Sequence, residues 1–143
     1  MAQLMPNSAA IGVQPHSLRV LVVDDQPTAT IVLATLLQKR GFEACAVNDS
    51  RQVLRTAQEF EPEIILLDIA MPYMDGYEVA RRIRRDPGLK NVPIIAVTSF
   101  SHAEHNRRAA EAGIEYQLRK PCDLESLMAL MEWVMRKPAD HDT

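Results

Sequence analysis

Glu63-Ile64-Ile65-Leu66-Leu67-Asp68, followed at once by Ile69-Ala70-Met71-Pro72-Tyr73-Met74-Asp75-Gly76, decides how this chain folds. Four consecutive large aliphatic residues predict a strand buried on both faces, the pattern of a parallel sheet. A strand that dry should release its terminal carboxylate where water or a ligand reaches it, because burying an unpaired charge is costly. The device repeats. Arg19-Val20-Leu21-Val22-Val23 ends in Asp24-Asp25, Val92-Pro93-Ile94-Ile95-Ala96-Val97 ends in Thr98-Ser99, and the short run from Tyr116 to Arg119 ends in Lys120-Pro121. These strand ends are expected to meet around Asp68.

Helical patterns fill the intervals. Pro27 suits a first helical turn, and Ile31, Leu33, Ala34, Leu36 and Leu37 give an apolar stripe up to Arg40, where Gly41 supplies the stop. A short edge strand is expected over Glu43–Val47. Asn48-Asp49-Ser50 then offers a turn and a cap for a second helix with Val53, Leu54 and Ala57 inside, closed by Pro62. A third helix starts at Asp75-Gly76, buries Tyr77, Val79, Ala80 and Ile83, and ends at Asp86-Pro87-Gly88. A fourth covers roughly 102–112 and stops at Gly113. Asp123 caps a fifth, with Leu124, Leu127, Met128, Leu130, Met131 and Val134 on its apolar side. Five alternating strand–helix units predict an α/β fold: a doubly wound parallel sheet with right-handed crossovers, and a ligand site beyond the carboxyl ends of the strands.

The 143 residues suit one domain over 18–136 with a sizeable core, between a flexible leader (1–17) and a polar tail (137–143). Within the leader, Ile11 and Val13 are placed to pack on the domain. The net charge of −3 gives no reason to expect nucleic acid as a partner. Cys45 and Cys122, far apart, make neither a disulfide framework nor a zinc pattern, and are read as ordinary thiols. No apolar run is long enough to span a membrane, and no signal peptide is recognised, so a cytoplasmic protein with no membrane association is expected.

The strand ends carry the chemistry. Asp24, Asp25 and Asp68 would gather three carboxylates at one edge of the sheet. Two like charges about 4 Å apart repel by roughly 4 kcal/mol at an effective dielectric near 20. Such a cluster binds a cation or holds protons, and a small set of hard oxygen ligands suits Mg2+, which leaves room for a phosphate. Lys120 adds a compact positive charge for Asp68 or an incoming phosphoryl group, and Thr98 a hydroxyl for a phosphate oxygen. Singly, each has an ordinary structural explanation: a helix cap for Asp24, Asp25 or Thr98, a surface charge for Lys120. Together they are the parts for phosphoryl transfer onto Asp68.

Val22-Val23-Asp24-Asp25, Leu66 to Gly76, Ala96-Val97-Thr98-Ser99 and Arg119-Lys120-Pro121 together resemble a receiver domain of a two-component response regulator, in order and in spacing, over about 18–136. The resemblance implies a flavodoxin-like sheet of strand order 2-1-3-4-5. It implies that Asp68 accepts a phosphoryl group from a histidine kinase or histidine phosphotransfer protein. It implies Mg2+ bound by Asp25 and Asp68, with Asp24 helping through water and the backbone carbonyl of Ala70 completing the protein ligands. Lys120 would then contact the phosphoryl group. Thr98 would couple phosphorylation to the face made by the fourth helix, fifth strand and fifth helix, where an unknown downstream protein or a second copy of the chain would bind.

The chain departs from the family pattern in places. The position that usually holds an aromatic switch residue is Gln117, and Tyr116 should point to the opposite side of its strand. Gln117 is expected to substitute by hydrogen bonding, or output to run through loop movement. Ala70 and Phe100 flank the site and offer no side chain to orient an attacking water, so slow self-dephosphorylation is expected. Arg81, Arg82, Arg84 and Arg85 are read as a solvated helix face. His102 and His105 are read as surface residues for want of a third metal ligand. Met128, Met131 and Met135, near Trp133, are read as core and rim.

The function expected is that of a single-domain, chemotaxis-regulator-like receiver that signals through altered protein contacts rather than as an enzyme. A receiver cut from a longer hybrid kinase or regulator is the alternative within the class. A flavin carrier is disfavoured by Asp24-Asp25-Gln26-Pro27, which would repel phosphate. A phosphohydrolase is disfavoured by Ala70, where a second acid normally stands.

Overall fold

The computed structural model describes residues 17–99 and 103–136. The leader over 1–16, with Ile11 and Val13, the flanking Phe100, His102 and the tail over 137–143 lie outside the described residues.

Elements alternate along the chain: β1 (Arg19–Val23), α1 (Pro27–Lys39), β2 (Glu43–Val47), a 3-10 turn (Ser50–Gln52) leading into α2 (Val53–Phe60), β3 (Ile64–Leu67), α3 (Gly76–Arg85), β4 (Ile94–Thr98), α4 (Ala103–Glu111), β5 (Tyr116–Arg119) and α5 (Leu124–Arg136). The strands form one parallel sheet in the order β2-β1-β3-β4-β5. Local chemistry sets the boundaries. Asp75 caps α3 by accepting from Glu78 N at 3.0 Å, and Asp123 starts α5 by accepting from Ser126 N at 2.9 Å. β4 begins two residues later than the apolar run suggests, because Pro93 has no N–H and Val92 N turns back to Leu89 O at 3.1 Å.

Side chains alternate across the sheet. Leu21, Val23, Ile65, Leu67, Ile94 and Ala96 pack with residues of α2, α3 and α4. Val20, Val22, Ile64, Leu66 and Ile95 pack with α1 and α5. Each large aliphatic side chain buried this way stabilises the fold by roughly 1.5–3 kcal/mol. Tyr116 and Gln117 fall on opposite faces of β5. Tyr116 packs edge-on against Trp133 at 5.9 Å, while Gln117 turns to α4.

Three expectations are corrected. On α1 the inward line is Thr30, Ala34 and Leu37, whereas Ile31 is 61% and Leu36 38% exposed. At 100° per residue these two fall on the flanks, and Thr30 takes an inner place because its hydroxyl is satisfied, donating to Pro27 O at 3.0 Å. Arg84 is not part of a solvated face. Its guanidinium donates to Gly113 O (2.9 Å), Val92 O (2.6 Å) and Lys90 O (3.1 Å), tying the end of α3 to the chain entering β4 and leaving α4. Arg81 and Arg82 pair with Glu78 as surface groups do. The third correction is His105, 2% exposed rather than a surface residue.

Candidate functional site

The register brings the acidic strand ends together. Val23 pairs with Leu67, so Asp24 and Asp68 leave the sheet side by side, and Asp68 N donates to Val23 O at 2.9 Å. Asp24, Asp25 and Asp68 each place an oxygen within 4.8 Å of the others. Lys120 directly follows β5, and its N donates to Thr98 O at 2.8 Å; the Lys120–Pro121 peptide is cis. The Lys120 ammonium donates to Asp24 Oδ2 at 3.1 Å and to Asp68 Oδ1 at 3.2 Å. The other Asp24 oxygen accepts from Gln26 N at 3.0 Å, so this carboxylate both closes the turn after β1 and faces the site. Thr98 ends β4 with a buried side chain, and Ala70 is exposed in the loop after β3.

The site is short of positive charge. Burial pushes the Asp68 carboxyl above the ordinary range and the Asp24 charge adds to this, while Lys120 pulls the other way. Burial alone would lower the Lys120 ammonium, but its hydrogen bonds and charge pairing with Asp24 and Asp68 outweigh that and hold it above its usual value. One ammonium among three carboxylates leaves a deficit that a divalent cation fits. The donor set is all oxygen, the chemistry of Mg2+ rather than of a softer metal.

Residues that the sequence marks only as a turn, a cap and a helix start also support the site. Ser50 Oγ donates to Pro72 O at 2.9 Å and accepts from Met74 N at 3.2 Å, pinning the loop after β3. Gly76 N donates to Ile69 O at 2.8 Å, and a Cβ on Gly76 would stand 2.7 Å from the carbonyl oxygen of Asp68. Asn48, at the end of β2, donates to Asp24 O at 2.9 Å and to Thr30 Oγ1 at 2.7 Å. The sequence marks Asn48 as part of a turn and cap, with no sign that it reaches Asp24.

Behind the site, His105 fills the space between α3 and β5. Its Nδ1 meets the Tyr77 hydroxyl and its Nε2 lies 2.7 Å from Gln117 Oε1, while Gln117 Nε2 donates to Asn106 Oδ1 at 2.7 Å. Both ring nitrogens are satisfied, which is why a polar side chain tolerates this burial. Arg108 stacks over the Tyr77 ring at 4.1 Å and reaches Asp75 at 3.7 Å, closing the same α3–α4 contact.

Residues 20–132 match the family model described as "Response regulator receiver domain". The chain belongs to this family. As a receiver domain it is 32% identical over 122 residues to the DNA-binding response regulator MtrA of Mycolicibacterium smegmatis, covering 85% of this chain and 52% of that protein. The receiver therefore spans about half the length of that curated relative. Among solved structures, chemotaxis protein CheY4 of Vibrio cholerae superposes with a TM-score of 0.79 at 29% identity, covering 82% of this chain and 98% of that one. The receiver domain of sensor histidine kinase PA1611 from Pseudomonas aeruginosa PAO1, with magnesium ion coordinated in the active site cleft, gives 0.77 at 28% identity, covering 85% and 99%. No helix among the described residues is long and apolar enough to cross a membrane.

Proposed function

We propose that Asp68 is the phospho-acceptor of this receiver. The observation that carries this is the meeting of Asp24, Asp25 and Asp68 within 4.8 Å, with the Lys120 ammonium 3.1 and 3.2 Å from two of them. An Asp68 oxygen attacks phosphorus of a phosphohistidine on a histidine kinase or histidine phosphotransfer protein. The P–N bond breaks, and the leaving imidazole nitrogen takes up a proton from solvent. Asp25, Asp68 and the Ala70 carbonyl would hold Mg2+, with Asp24 helping through water, a reading that the magnesium-bound Pseudomonas relative supports. When bound, Mg2+ offsets the charge of the carboxylates and of the transferring phosphoryl oxygens. Lys120 exchanges part of its pairing with Asp68 for a phosphoryl oxygen, and the Thr98 hydroxyl donates to another.

The donor protein has a surface to meet. Ala29 and Leu33 line the cleft beside Asp68, and Ile31 and Val32 stand exposed on the same stretch of α1. Readout runs through the α4–β5–α5 face to a downstream protein or a second copy of the chain. Ala70 offers no group to orient water, so the aspartyl phosphate decays slowly. The domain over 18–136 acts in the cytoplasm as a signalling module.

With Mg2+ and acetyl phosphate the protein should take up one base-labile phosphoryl group, and Asp68→Asn should take up none. Retained labelling in Asp68→Asn overturns the assignment. A phosphoryl half-life of seconds without a phosphatase overturns the slow-decay part alone.

A further inference from the structure

Asp24 and Asp25 sit on a three-residue connection between β1 and α1, and something must hold it. The last backbone rung between β1 and β2 beyond the paired residues is Asp24 N to Val47 O at 3.2 Å. β2 then turns away, and the carbonyl of Asp24 loses the strand that would have supplied its donor. The Asn48 side chain supplies it instead, its amide nitrogen lying 2.9 Å from Asp24 O. That carbonyl belongs to the peptide joining Asp24 to Asp25, so the bond fixes the plane between the two acidic residues. The second proton of the same amide goes to Thr30 Oγ1 at 2.7 Å, and Thr30, fully buried, donates on to Pro27 O at 3.0 Å. One amide therefore grips the connection at both ends, Asp24 where it leaves the sheet and Pro27–Thr30 where it enters α1. With both protons spent, it fixes position and adds no charge.

Resting on the reading of the acidic cluster as a Mg2+ site, we infer that Asn48 is a positioning residue of that site: it holds Asp24 and Asp25 at the separation that Mg2+ requires. Residues that orient metal ligands without touching the metal typically contribute about 10- to 100-fold to affinity.

The test is a Mg2+ titration of the full chain followed by the amide NMR shifts of Asp25 and Asp68, alongside the metal-free Tm. Asn48→Ala should raise the Mg2+ dissociation constant about ten-fold. Val134→Ala, on the buried side of α5, should lower Tm and leave the constant at the wild-type value. A constant less than three-fold above wild type in Asn48→Ala, whatever its Tm, overturns the inference. If Asn48→Ala does not fold, Asn48→Ser is judged by the same threshold, since a serine hydroxyl cannot span both partners. A wild-type protein that binds no Mg2+ overturns the metal-site reading and this inference with it, whereas equal binding by wild type and variant overturns this inference alone.

Discussion

His105 Nε2 lies 2.7 Å from Gln117 Oε1, and that contact fixes the proton of a buried imidazole. Gln117 Nε2 already donates to Asn106 Oδ1, so Gln117 Oε1 is the acceptor and His105 Nε2 carries the hydrogen. His105 Nδ1 is then the acceptor of the Tyr77 hydroxyl. The chain runs one way, Tyr77 to His105 to Gln117 to Asn106, and it ties α3, α4 and β5 together at the strand position where the family resemblance expects an aromatic. A double-mutant cycle reads it. Tyr77→Phe and His105→Phe should each destabilise by about 1–3 kcal/mol in urea unfolding, since each strips a buried group of its partner. The double variant should cost less than the sum by about 1 kcal/mol. Strict additivity would show that the contact contributes nothing.

Asp68 works against the stability of the metal-free fold. Burial, then the Asp24 charge, raises its carboxyl above the unfolded value. A carboxyl raised on folding binds more protons in the folded than in the unfolded state, so its contribution is fully present below the unfolded value, about pH 4, and is lost as pH rises through the folded-state value. Asp68→Asn should therefore raise the Tm of the metal-free protein at pH 7, on the order of 1 kcal/mol of added stability, with the gain fading toward pH 4. Saturating Mg2+ should shrink the difference by stabilising wild type alone. A gain independent of pH would sink the electrostatic account.

The ends of β1 and β3 were legible because each is a dry aliphatic run broken by a charge, a contrast that survives in one dimension. The order of the strands is the one the resemblance implied, and their register sets Asp24 beside Asp68. Burial of His105 was not legible, because its two partners lie 28 and 12 residues away on other elements and the residue itself is polar. Arg84 was hidden for a related reason: three of its acceptors are backbone carbonyls, which no side-chain pattern reports, and the fourth, Glu115, lies 31 residues away. Ile31 and Leu36 misled in the opposite sense: at 100° per residue they fall on the flanks of an inner line that Thr30, Ala34 and Leu37 occupy.

Gly76 is set by contact rather than by turn geometry. An added Cβ would lie 2.7 Å from both Asp68 O and Ile69 Cα, backbone atoms beside the acidic cluster. Neither can move without moving Asp68. Gly76→Ala should cost about 1–3 kcal/mol in unfolding free energy, the usual range for forcing a methyl into a packed site. It should also slow acetyl phosphate labelling at temperatures where the variant remains folded. Wild-type labelling in a destabilised variant would separate the packing role from the site.

Arg84 is held by backbone carbonyls where its neighbour Arg85 is exposed. Its guanidinium serves three carbonyl oxygens, and its aliphatic stem runs past Gly113, where a Cβ would lie 2.7 Å from Arg84 Cγ. Gly113 has φ of +88°, so α4 ends where glycine both turns the chain and clears the arginine. Arg84→Met keeps the stem and removes the donors, leaving partly buried carbonyls without them, and should destabilise by about 2–3 kcal/mol. Arg85→Met, one residue on and exposed, should stay within about 0.5 kcal/mol of wild type. Equal effects of the two substitutions in urea unfolding would return Arg84 to the solvated face.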